Sequence, residues 1–104
     1  MNGIESIAAE RARQIDVEGW TPGHDDEHKY GEMGKAAVCY ALHACAFSLE
    51  PGMDDFDGWW PWDTQWWKPS GDPIRNLEKA GALIAAEIDR LRRAAEIEED
   101  ATNG

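Results

Sequence analysis

DPIRNLEKAGALIAAEIDRLRR, residues 72–93, reads as one long amphipathic helix and decides the fold class. Asp72 ahead of Pro73 is an N-cap followed by proline at the first helical position, where the missing N–H would have no helical partner anyway. Ile74, Leu77, Gly81, Ile84, Ile88 and Leu91 then recur at steps of three and four, the spacing of one helix face. Arg90, Arg92 and Arg93 stand near the expected C-terminal end, where cations complement the helix dipole. Residues 95–104, ending in EIEEDATNG, are acidic and polar and are expected to form a disordered tail.

Two more helices lie upstream. The first runs from about Ile4 to Val17, with Ile4, Ile7, Ala8, Arg11 and Ile15 at helical spacing and Gly19 as a plausible stop. The second runs from about Gly31 to Leu49. Met33, Ala36, Ala37, Tyr40, Ala41 and Ala44 form its stripe, and Pro51-Gly52 ends it. Neither β-alternation nor an internal repeat is visible. The expectation is a single all-α domain over residues 1–94, with three main helices and long, ordered, Trp-rich loops packed over them. The small-residue stripe Gly34, Ala37, Ala41, Ala44 and Cys45 suggests that a second copy packs closely there, giving a homo-oligomer.

Charge narrows the functional classes. The formal net charge is -11 over 104 residues. Such a chain is repelled by phosphate backbones, so DNA and RNA are not expected partners. No stretch approaches the roughly 18 apolar residues of a membrane span. Charged residues occupy the N-terminal segment where a signal peptide would be apolar, and the expected location is the cytoplasm. Cys39 and Cys45, six apart on one helix, read as small buried hydrophobes rather than a disulfide.

The loops carry the candidate chemistry. HDDEH, residues 24–28, places His24 and His28 at i and i+4, but a third ligand at a metal-site spacing is not evident. The stretch reads as a polar turn in which Asp25 or Asp26 caps the second helix. No nucleophile elbow or phosphate-cradling glycine loop is present. Glu32, Glu87 and Asp89 admit a magnesium-dependent nucleotide pyrophosphatase as a third reading, although Glu32 has no acidic partner one turn away. WWPWDTQWWK, residues 59–68, holds five of the six tryptophans. One ring of each adjacent pair, Trp59/Trp60 and Trp66/Trp67, is expected to bury against the first and third helices. The others, with Trp62, are expected to line a cleft. Aromatic faces beside cations suit a nucleobase and its phosphate. The candidate ligand-binding residues are Arg13, Trp62, Trp66, Trp67, Lys68 and Arg75. Trp20 is expected to anchor the fold.

The run ERARQIDVEGWTPGHDDEHK is similar to the signature of the RyR domain, the repeat named for ryanodine receptors and also found in bacterial and phage proteins. Arg13, Glu18, Gly19, Trp20, Thr21, Gly23, Asp26 and Lys29 carry the first half of the resemblance. Trp60, Pro61, Trp62, Asp63, Lys68 and Asp72, with the closing helix, resemble the second half. Where the family has a tryptophan in its first helix, this chain has Gln14. Both blocks also resemble small phage-encoded proteins. The resemblance implies a non-enzymatic helical module that senses nucleotide-derived signals; neither a metal nor a cofactor is expected from the residues. In a phage it would sequester a host immune second messenger, such as a cyclic oligonucleotide or a cyclic ADP-ribose derivative. The alternative is an acidic protein–protein module that inhibits a host factor.

Overall fold

The structure is a computed structural model and describes residues 1–45, 51 and 54–103. Among them the chain forms helices and no strand: α1 (Gly3–Asp16), α2 (Pro22–Asp25), α3 (Glu32–Cys45), α4 (Asp54–Trp59), a 3-10 turn (Thr64–Trp66) and α5 (Pro73–Asn103). α5 is the hub on which α1, α2 and α3 pack, while α4 packs on α3. No helix among the described residues is long and apolar enough to cross a membrane.

Local chemistry sets the ends of these helices. α1 opens on a capping box: the Asn2 side chain accepts from the Glu5 amide, and Glu5 Oε1 accepts from the Asn2 amide at 3.1 Å. Gly19, at φ 75°, provides the left-handed turn that lets the Trp20 amide reach back to the Gln14 carbonyl. Gly31, at φ 78°, launches α3 in the same way. The Asp72 cap on α5 is present, with its Oδ1 accepting from the Ile74 amide at 3.0 Å.

Both long loops contain helices that the sequence reading did not place. Thr21 caps α2 and Pro22 occupies its first turn, the same polar-residue-then-proline signal that marks α5. Asp25 and Asp26 therefore do not cap the second helix. In the second loop Asp63 caps the 3-10 turn through the Gln65 amide. The expected extension of the second helix over residues 46–49 lies outside the described residues.

The core forms where α3 meets α5. Met33, Ala36, Ala37, Cys39 and Tyr40 of α3 face Ala80, Leu83 and Ala86 of α5, and Phe56, Trp60 and Trp67 close the end. The alanines let the two helices approach closely, so the large rings supply most of the buried apolar area.

Three expectations are corrected here. The buried face of α5 is Asn76, Ala80, Ala82, Leu83, Ala86 and Arg90, whereas Ile74, Leu77, Ile84, Ile88 and Leu91 stay exposed. The apolar stripe and the packed face differ because α1 and α3 straddle the alanine-rich side. Gly81, within the stripe, is the exception. A Cβ there would meet Ile7 Cδ1 at 2.6 Å, so α1 docks through the notch the glycine leaves. Second, Cys45, expected as a small buried hydrophobe, is exposed, although Ala37 of the same small-residue stripe on α3 is packed inside the chain. Third, α5 continues through Asn103 where a disordered tail was expected. Residues 94–103 contain neither Gly nor Pro and include good helix formers, and extending a formed helix costs little. Arg93 thus lies within the helix rather than near its end. Its guanidinium ties α5 to α2, with Nη2 2.7 Å from Asp26 Oδ1 and 3.3 Å from the Pro22 carbonyl.

Candidate functional site: an aromatic cavity beside buried polar groups

α1 turns polar side chains inward. Glu10 and Gln14, one turn apart, are both buried, and they are the only α1 residues that are fully so. Glu10 is shared by two guanidiniums: Arg13 Nε at 2.7 Å and Arg75 Nη2 at 2.7 Å. Burial by itself would raise the Glu10 carboxyl. Hydrogen bonds from Arg13 and Arg75 outweigh it and hold the group below the ordinary carboxylate range. Arg13 also reaches Glu18 at 3.0 Å. Nearby, buried Asp25 pairs with Arg11, whose other terminal nitrogen donates to the Trp20 carbonyl at 3.2 Å. These bonds fix α1, Trp20 and α2 as a unit.

That unit forms one side of a cavity of about 600 Å³. Tyr40, Met33 and Leu83 come from the core beneath it. Trp60 and Trp62 stand together, their rings perpendicular with centroids 5.5 Å apart. Trp60 is fixed by its own indole N–H, which donates to the Asp63 carbonyl at 3.2 Å. Trp62 lies against His28 at 5.2 Å, and His28 Nδ1 is 3.2 Å from Glu32 Oε2. The volume falls within the range of small-ligand pockets, and Trp and Tyr rings share the lining with polar and charged side chains, the carboxylates of Glu10, Glu18, Asp25 and Asp63 among them.

Two of those polar groups lack partners. Gln14 Oε1 and Trp62 Nε1 are buried and make no hydrogen bond among the described residues, although both residues line the cavity. A buried donor or acceptor left unsatisfied costs about 1–3 kcal/mol. Gln14 uses its amide nitrogen toward Glu10 Oε2 at 3.4 Å, which leaves the oxygen as an acceptor.

Cations complete the lining: Arg13, Lys68 and Lys79. Lys79 Nζ donates to the Lys68 carbonyl at 2.9 Å and lies 5.6 Å from the Tyr40 ring centroid. Its ammonium is shifted below the usual lysine range by burial first, then by the Arg75 charge. Lys68 Nζ lies 5.7 Å from the exposed Trp66 ring.

Of the six residues expected to bind ligand, Arg13, Trp62, Trp66 and Lys68 come together around the cavity. Trp67 does not. It is a core ring, 4.8 Å from Tyr40 and 4.9 Å from Trp60. Arg75 does not either; it lies on a shallower recess with Met1 and Glu78 on the other side of Glu10. Each tryptophan pair does split into a buried ring (Trp60, Trp67) and an exposed one (Trp59, Trp66), and the buried rings join the α3–α5 core, where they meet Tyr40 of α3 and Phe56 of α4. Trp20 packs on the core and also lines the cavity, so anchor and lining are one role.

The sequence reading missed Gln14, Tyr40 and Lys79. Glu10 and Gln14 at i and i+4, on a helix with few apolar residues, were the available signal. His24 and His28 do share a face, with rings 5.0 Å apart, and both line the cavity. No cluster of three potential metal ligands occurs among the described residues. Glu32 is engaged by His28 and the Tyr30 amide, and Glu87 by Arg90. Comparison with protein-family models, curated proteins and solved structures returned no match.

Proposed function

We propose that this protein binds a small anionic nucleotide-type ligand in the aromatic cavity and holds it without chemical change. One observation carries the reading: an unpartnered buried acceptor, Gln14 Oε1, and an unpartnered buried donor, Trp62 Nε1, in one aromatic cavity. A nucleobase supplies a flat face for the rings and complementary polar atoms on its edge. Lys68, Lys79 and Arg13 supply charge for phosphate. A stacked base is worth roughly 1–3 kcal/mol, and each charge-assisted contact about 1.5–3 kcal/mol. Two of each support micromolar or tighter affinity after the cost of association. Read with the RyR-domain resemblance, the ligand class is a signalling nucleotide. In a phage the function is sequestration of a host second messenger.

The test is calorimetric titration with a cyclic dinucleotide, a cyclic trinucleotide and cyclic ADP-ribose. Trp62→Phe keeps an aromatic ring but removes the N–H. Gln14→Met keeps the length of the side chain but removes the acceptor. Each is expected to weaken binding about tenfold or more, consistent with a lost buried hydrogen bond. If the folded protein binds no nucleotide and instead co-purifies with a host protein, the inhibitory protein–protein reading replaces this one.

A further inference from the structure

We propose that Glu10 fixes the sense of the Gln14 amide, so that the cavity presents a hydrogen-bond acceptor there and selects adenine among the nucleobases. The proposal rests on the nucleotide reading above and names its base. A glutamine amide is a donor at one end and an acceptor at the other, and its neighbours decide which end faces where. Glu10 lies one turn before Gln14 on α1, and both side chains are buried. An ionised carboxylate only accepts. Glu10 Oε1 takes Arg13 Nε and Arg75 Nη2, each at 2.7 Å. Its Oε2 takes Arg13 Nη2 at 3.1 Å and Gln14 Nε2 at 3.4 Å. Turning the amide over would set oxygen against oxygen. Burial acts to raise the Glu10 carboxyl, but hydrogen bonds from Arg13 and Arg75 hold it low, so the carboxylate stays ionised at neutral pH. The two arginines thereby keep Gln14 in one orientation.

What remains is one acceptor, Gln14 Oε1, and one donor, Trp62 Nε1, both buried without partners among the described residues. A ligand that satisfies both offers one donor group and one acceptor. The pairing edge of adenine has this composition, an exocyclic amino group beside an unprotonated ring nitrogen. Guanine adds a second donor there, and cytosine and uracil a second acceptor. Each extra group would be buried without a partner, which costs affinity. The carboxylates of the lining are engaged within the chain: Glu18 by Arg13, Asp25 by Arg11 and Asp63 by the Gln65 amide. Glu10 is thus a positioning residue, and Arg75, which does not line the cavity, acts on the base only through it.

Calorimetric titration of the full chain with matched nucleotides tests the proposal. Adenine, unsubstituted purine and guanine are each presented as the 5′-monophosphate and as the cyclic dinucleotide. Wild type should bind the adenine form about tenfold or more tightly than the purine and guanine forms, because purine leaves Gln14 Oε1 unpaired. Gln14→Met removes the acceptor and should bring the adenine and purine affinities within about twofold of each other. Glu10→Gln lets the Gln14 amide turn over. At a temperature where circular dichroism shows it folded, it should narrow the same ratio by about threefold or more. Adenine and purine differ only in the amino group, so a general loosening of the fold weakens both and leaves their ratio unchanged. Equal wild-type affinity for adenine and purine overturns the proposal while leaving nucleotide binding intact. So does a preference for guanine, or a ratio that survives Gln14→Met or Glu10→Gln. Failure of all six nucleotides to bind the folded chain also overturns it, and failure of the cyclic trinucleotide and cyclic ADP-ribose as well overturns the nucleotide reading.

Discussion

Single residues here act mainly through buried charge and burial itself. Asp25 is almost fully buried and pairs with Arg11, which is itself largely covered. Asp25→Ala strands that guanidinium, and the expected loss is about 3–5 kcal/mol in urea unfolding. Glu10 gives a pH signature. Its folded pKa lies below its unfolded value, so its contribution is complete above the unfolded range, about 4.3. It is lost as pH falls through the folded value. The difference in melting temperature between wild type and Glu10→Gln should therefore be largest near neutral pH and shrink on acidification toward about pH 3. A difference that grows on acidification would mean that Glu10 is not held ionised by its two arginines. The cysteines report on α3. Cys39 is buried and its thiol is pushed up to about 11 by that burial, while Cys45 is exposed. Ellman's reagent should titrate one thiol per native chain and two in denaturant; two fast native thiols would contradict the register of α3. This burial of Cys39 was legible in the sequence as a small hydrophobe on a helix. Burial of Glu10 was not, because its partners are Arg13 one turn away and Arg75 on a different helix, and spacing says nothing about the second.

At the scale of elements, packing reverses what periodicity suggests. The most regular apolar repeat, Ile74 to Leu91, marks a true helix but the wrong face for the core. Alanine explains it. Ala80, Ala82 and Ala86 weigh little in a hydrophobicity pattern, yet they permit the close approach that positions α1 and α3. The Asp72-Pro73 cap of α5 was legible; α2 carries the same signal at Thr21-Pro22 but escaped because a four-residue helix carries no periodicity. Gly81 is the element-scale test. In a free helix Gly→Ala stabilises by roughly 0.5–1 kcal/mol. Here the new methyl would meet Ile7 Cδ1 and Cγ1 at 2.6 and 2.8 Å. Overpacking costs about 1–3 kcal/mol, so Gly81→Ala should destabilise. In an Ile7→Ala background the same change should become neutral or stabilising. Chemical denaturation of the four proteins reads the sign directly, and a change stabilising in both backgrounds would mean that α1 does not dock at Gly81.

For the whole molecule, the α3–α5 core forms the base of the cavity, the Trp-rich segment one wall, and α1 with α2 another. The sequence made the aromatic wall legible, because five tryptophans in ten positions exceed what a small core can absorb. It did not reveal the polar side, which exists only once α1 is docked through Ile7 onto α5. The residues that matter for the proposed ligand therefore divide into those visible in a motif, such as Trp62 and Lys68, and those created by packing, such as Gln14 and Lys79. The most direct test joins both kinds. Calorimetric titration of cyclic dinucleotide, cyclic trinucleotide and cyclic ADP-ribose into wild type, Trp62→Phe, Gln14→Met and Lys68→Ala should be read beside thermal melts of the same four proteins. The account predicts micromolar or tighter binding of at least one nucleotide to wild type, about tenfold or greater weakening in each variant, and melting temperatures within a few degrees of one another. Absence of binding to folded wild type, or weakening only in variants that also unfold, would contradict it.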